Sequence, residues 1–147
     1  MNRTVAVTLG ILTAATAVAP AAVANPTKPI TKTYSVTAPA PDPSNWAGQG
    51  YSVCAQNVPG SYHIEPFKVP AAGTLKVELS KFTGDWDLLL MDGKGKELAY
   101  GGSSDVTGSE ISQVKFKKAG EVQIVACNWA GGPTGEVTYT YTPAKKG

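Results

Sequence analysis

Charge, histidine and cysteine are all scarce in this chain of 147 residues. Charged side chains make up 16% of it and the formal net charge is +2. A nucleic-acid interface needs a dense basic face, which this balance excludes. The short runs Lys115-Phe116-Lys117-Lys118 and Lys145-Lys146 read as a solvated strand end and tail. His63 is the only histidine. A Ser–His–Asp arrangement would have to recruit Ser61 or Asp85 to it, and the chain has no G-x-S-x-G elbow. Cys54 and Cys127 are the only thiols, so with His63 they fall short of the four ligands of a structural zinc site. The carboxylates Asp85 and Asp87 sit close together, but nothing beside them raises a pKa as glycosidase chemistry requires. These absences point away from an enzyme. No repeat of 20–50 residues is visible, which excludes solenoids and propellers.

Residues 1–24 read as a secretory signal peptide. Arg3 supplies the basic start, residues 5–18 are apolar, and Ala22-Val23-Ala24 is a cleavage site followed by Asn25-Pro26. The apolar run is interrupted by Thr8, Thr13 and Thr16 and ends at Pro20, so it falls short of a membrane span. No second apolar stretch is long enough to cross a membrane. The expected product is a secreted, extracellular, soluble monomer. In an oxidising compartment two cysteines predict one disulfide, Cys54–Cys127.

Hydrophobic residues make up 42% of the sequence, enough for a core. Residues 25–43, rich in Pro, Thr, Ala and Lys, read as a linker or extended arm ahead of a domain at 44–147. Residues 51–54 predict a first strand. Beyond residue 62 apolar and polar residues alternate persistently. Leu75, Val77 and Leu79 alternate with Lys76, Glu78 and Ser80. Val137, Tyr139 and Tyr141 alternate with Thr138, Thr140 and Thr142. Val122, Ile124 and Ala126 share one face of another strand. Residues 128–135, with Trp129, read as a loop. Helical periodicity is not sustained anywhere in the mature chain, and the connections are too short for parallel crossovers. The pattern predicts an all-β, antiparallel β-sandwich of about seven or eight strands.

The stretch Gly84-Asp-Trp-Asp-Leu-Leu-Leu-Met-Asp92 organises the rest. It reads as a central strand that turns at residues 93–95 into a hairpin. Trp86, Leu88 and Leu90 face one way; Asp87, Leu89 and Met91 face the other. Leu89 and Met91 therefore require a cover, either the 51–54 region or the arm, unless they form an exposed binding patch.

Two kinds of site are chemically plausible. Asp85, Asp87, Asp92 and Asp105 flank turns near the glycine-rich stretch 101–108 and are the carboxylates available to a calcium ion, the one cofactor the sequence offers ligands for. The competing reading is turn capping by these side chains. Trp46 and Trp129, with Asn128 beside the latter, combine aromatic faces with amides, as sugar rings require. The alternative is that the tryptophans cap the ends of the core. Both kinds of site fit a non-catalytic binding or accessory module for an extracellular protein, matrix or polysaccharide. A structural protein of the cell envelope, without a dedicated ligand, is the alternative.

The segments Phe67-Lys-Val-Pro-Ala-Ala-Gly-Thr-Leu-Lys-Val-Glu-Leu79, Gly84-Asp-Trp-Asp-Leu88 and Lys118-Ala-Gly-Glu-Val-Gln-Ile-Val-Ala126 follow one another in a familiar order. Residues 62–142 thereby resemble the bacterial pre-peptidase C-terminal domain family. The resemblance implies a jelly-roll-like sandwich without catalytic machinery, linked in that family to secretion, to substrate or matrix binding, and in some members to calcium-dependent stabilisation. Val122 and Gln123 depart from it where a tyrosine is common. No catalytic domain accompanies the segment here, so the role of an appendage does not transfer directly.

Overall fold

The structure, a computed structural model, describes residues 26–40, 60–102 and 108–145. Eight strands cover most of them: β1 (Ile30–Thr37), β2 (Tyr62–Val69), β3 (Gly73–Ser80), β4 (Gly84–Asp92), β5 (Glu97–Gly101), β6 (Glu110–Phe116), β7 (Gly120–Gly131) and β8 (Thr134–Pro143). They form two four-stranded antiparallel sheets, ordered β1-β8-β3-β6 and β2-β7-β4-β5. This is the predicted antiparallel sandwich, with the strand order of a jelly roll.

The topology has a simple origin. β4 pairs with β5, β3 with β6, β2 with β7 and β1 with β8. The eight described strands form one long ribbon, folded back on itself at residues 93–96. Pairing of β3 with β8 and of β4 with β7 then stitches that ribbon into two layers. The tip is fixed locally. The Asp92 carboxylate accepts the backbone N–H groups of Lys94 and Lys96 at 2.8 and 2.9 Å, a side-chain cap suited to a tight turn.

Between the layers lie the residues that alternation assigned to the core. Leu75, Val77, Leu79, Trp86, Leu88, Leu90, Val137 and Tyr141 are all fully enclosed. Fully burying one such side chain contributes about 1.5–3 kcal/mol. Tyr141 carries its hydroxyl to 3.0 Å from the carbonyls of both Ala71 and Ala72, so its polar tip is satisfied at the turn before β3.

Within the stretch read as an arm, residues 30–37 form a complete strand, paired along its length with β8. Thr31 and Thr33 face outward and meet the hydroxyls of Thr140 and Thr138 at 3.1 and 2.8 Å. Such exposed pairs contribute about 0.2–1 kcal/mol each. Val36 and, just past the strand, Ala38 are buried in the core and add to what holds β1. Because β1 belongs to the other sheet, it does not cover Leu89 and Met91, contrary to one expectation. Residues 51–54, the other expected cover and the expected first strand, lie outside the described residues. Among the described residues no helix is long and apolar enough to cross a membrane.

Candidate functional site

The outward face of β2-β7-β4-β5 is not an ordinary wet face. Leu89, Met91, Val125 and Cys127 lie on it and are buried, with Tyr62 and Trp129 packed against them. Strand register explains the neighbourhood: Asp87 lies opposite Cys127, and Leu89 opposite both Val125 and Tyr100.

β7 does not end where a loop was expected. It continues through Asn128 and Trp129 to Gly131, and it does so through a bulge. Asp85 pairs with Ala130 and Trp86 with Asn128, so Trp129 is the additional residue. Bulges re-aim side chains and sharpen local twist. Here the bulge is supported by Gly84 and Gly131, paired opposite each other at φ of 87° and 145°. A Cβ on either would collide with the facing backbone, so only glycine fits.

The result is a polar constellation on a strand framework. The Trp129 indole N–H donates to one oxygen of the Asp87 carboxylate. The Tyr100 hydroxyl donates to the other at 2.9 Å. Asp87 is 8% exposed, whereas Tyr100 is 53% exposed. Gly102 makes the second contact possible, because a Cβ there would strike both the Tyr100 hydroxyl and the Asp87 carboxylate. Contrary to the expectation that nothing here raises a carboxyl pKa, burial pushes the Asp87 carboxyl above its usual range; the two donors oppose that, and the nearby Asp85 and Glu110 charges reinforce it. Burial, and then the hydrogen bond to Asp87, push the Tyr100 hydroxyl up to about 12. At neutral pH it stays protonated and remains a donor.

Two aromatic rings are held by one carboxylate that is itself nearly enclosed, so the surface the arrangement offers is the exposed Tyr100 ring and the half-buried Trp129. Its sequence signal was incomplete. Trp129 and Asp87 were each singled out, for different reasons, and Tyr100 was not. Tyr100 follows an irregularity in which Leu90 pairs with Ala99 and Met91 with Glu97, so the β5 pattern gave no clear face.

The other expected residues are distributed differently. Asn128 is fully buried and works as a junction. Its side-chain amide donates to Ala38 O at 2.8 Å and Gly132 O at 3.1 Å, and its backbone N–H donates to Ser61 O at 2.9 Å. Those donors tie the chain on both sides of residues 41–59 to β7 and are not presented to a ligand. Asp92 caps the hairpin at the far end of β4 from Asp85, about 23 Å away at the usual rise per residue. Its carboxyl is held below the usual range by the Lys96 and Lys94 backbone N–H groups. The proposed calcium set is therefore not assembled by Asp85, Asp87 and Asp92. Among the described residues no group of three or more His, Cys, Asp and Glu side chains is placed to hold a metal ion. Trp46, Asp105 and Cys54 lie outside the described residues. Cys127 is fully buried, and no cysteine among the described residues is free.

Compared with known proteins, the chain matches no family model and no curated protein.

Proposed function

We propose that this protein is an exported, non-catalytic binding module whose ligand is a polysaccharide, held where Tyr100 and Trp129 rim the covered outward face of β2-β7-β4-β5. The observation that carries this reading is the pair Tyr100 and Trp129, fastened to the single carboxylate of Asp87. Sugar rings stack their C–H faces on aromatic rings and direct hydroxyls to nearby acceptors. A platform built on paired strands loses little conformational freedom when a ligand arrives. The jelly-roll strand order also supports the resemblance to pre-peptidase C-terminal domains, in which a binding role of this kind is expected. The proposed export and the Cys54–Cys127 disulfide belong to the same reading.

Affinity electrophoresis against soluble polysaccharides, followed by calorimetry on those that retard the protein, tests it. Retardation that disappears in Tyr100→Ala and Trp129→Ala, with folding intact, is the expected result. Wild-type protein that responds to no polysaccharide overturns it and favours a structural role at the cell envelope.

A further inference from the structure

The fold gathers lysines that are far apart in sequence. Lys68 is the last residue but one of β2, Lys94 and Lys96 lie in the β4–β5 turn, Lys117 and Lys118 lie between β6 and β7, and Lys145 follows β8. Register places all of these at one end of the sandwich. Val69 pairs with Gly120, Asp92 with Val122, and Gly73 with both Phe116 and Pro143. All six lysines are exposed. The ion pairs present among the described residues are Lys32–Glu65 and Lys81–Glu136, so none of the six is neutralised in that way. Among the described residues the carboxylates at this end are Asp92, Glu97 and Glu121, the first of them occupied by backbone N–H groups. The opposite end carries Asp85, Asp87 and Glu110, along with the Lys81–Glu136 pair. A nearly neutral chain is thus folded into a molecule with one basic and one acidic end.

We infer that the lysine-bearing end is a docking surface for an anionic lipid bilayer. The six side chains come from both sheets, which pack about 10 Å apart, so they spread over an end face and do not line a track. A linear polymer is matched by a row or groove, whereas a flat charged surface is matched by a spread array. Lysine is a mobile, strongly hydrated point charge without the planar fork of arginine, and no arginine lies among the described residues. That chemistry suits diffuse attraction to a headgroup layer and not recognition of one phosphate. Clusters of 4–8 basic residues are sufficient for such adsorption. Docked this way, the protein holds Asp87, Tyr100 and Trp129 at the end directed away from the lipid.

Vesicle co-sedimentation of the mature protein tests this. Phosphatidylcholine vesicles are compared with vesicles containing about one-third phosphatidylglycerol, at about 50 mM and about 500 mM salt, where screening lengths differ severalfold. Sedimentation with the anionic vesicles alone, abolished at the higher salt, is expected. The variant K94E/K96E/K117E/K118E, verified as folded by thermal melt, should lose at least about tenfold in partitioning. Lys76→Glu, in the middle of β3, should stay within about twofold, because its charge lies off the docking end. Equal binding to neutral vesicles, indifference to the four reversals, or retention on soluble polyphosphate with none on vesicles would each overturn the inference.

Discussion

Asp87 is the one acceptor shared by Trp129 on β7 and Tyr100 on β5, and it lies on the strand between them. The carboxylate fixes both rings, so the site can be weakened without removing either. Tyr100→Phe keeps the ring and deletes the donor. A hydrogen bond to a carboxylate contributes about 1.5–3 kcal/mol to stability, and releasing the ring from it should lower affinity for the proposed polysaccharide. Gly102→Ala should act in the same direction by displacing the Tyr100 hydroxyl. Calorimetry on the two variants checks this, and unchanged affinity in both would mean that the Asp87 hold on Tyr100 is irrelevant to binding.

Two aspartates on one strand are shifted in opposite directions, and their contributions to stability must oppose each other in pH. Burial raises Asp87 above 3.8, so the native state binds that proton more tightly than the unfolded chain. Its contribution is favourable at low pH and is lost as pH rises through the raised value. Asp92 is lowered by the Lys96 and Lys94 backbone N–H groups. Its contribution is present above 3.8 and is lost as pH falls through the depressed value. Urea unfolding across the acidic range should therefore show wild type losing ground to Asp87→Asn as pH rises, and gaining on Asp92→Asn. Slopes of the same sign in the two comparisons would contradict the assigned burial and hydrogen bonding.

Asn128 should matter more to stability than any surface ion pair. Asn128→Ala removes the donors to Ala38 O and Gly132 O. Ala38 O, a buried carbonyl, then loses its donor at a cost of about 1–3 kcal/mol, whereas Gly132 O keeps the Trp86 indole N–H at 3.2 Å. Asn128→Asp places a carboxylate against those same carbonyls and should be worse. By contrast, Lys81→Ala breaks a bridge whose lysine side chain is 71% exposed, an interaction that contributes at most about 1 kcal/mol. Urea midpoints ranked with Lys81→Ala nearest wild type and Asn128→Asp furthest from it are the expected outcome. Equal midpoints for Lys81→Ala and Asn128→Ala would remove Asn128 as a junction.

These variants also show which parts of the molecule were legible in the sequence. β3 and β8 alternate strictly and face a single core, so period alone located Leu75 and Tyr141. β4 was legible as apolar on both sides, and Leu89 is indeed buried on the outward face. β1 was read as an arm because prolines flank it and its outward positions are threonines, which look like linker composition until β8 supplies matching threonines. The end of β7 was read as a loop because Trp129 is an added residue that breaks the two-residue period, and Gly131, Gly132 and Pro133 follow directly. The Asp87–Tyr100 contact depends on an irregular pairing, and no local pattern encodes it. The lysines of the basic end are scattered along the chain, and topology alone brings them together.

Cys127 lies on the outward face between Val125 and Trp129, and the only other cysteine in the sequence is Cys54, outside the described residues. A bond between them would close a long loop, worth about 4 kcal/mol on the chain-entropy model. Protein produced in an oxidising compartment and denatured without reductant should therefore show no titratable thiol, and two after reduction. Reductant should lower the urea midpoint of wild type substantially, while the double variant Cys54→Ser/Cys127→Ser should match reduced wild type and ignore reductant. Because Cys127 neighbours Trp129, reduction should also weaken polysaccharide binding at temperatures where the reduced protein is still folded. Two free thiols in that unreduced protein would rule the crosslink out, and Trp129 would then be positioned by the β7 bulge and Asp87 alone.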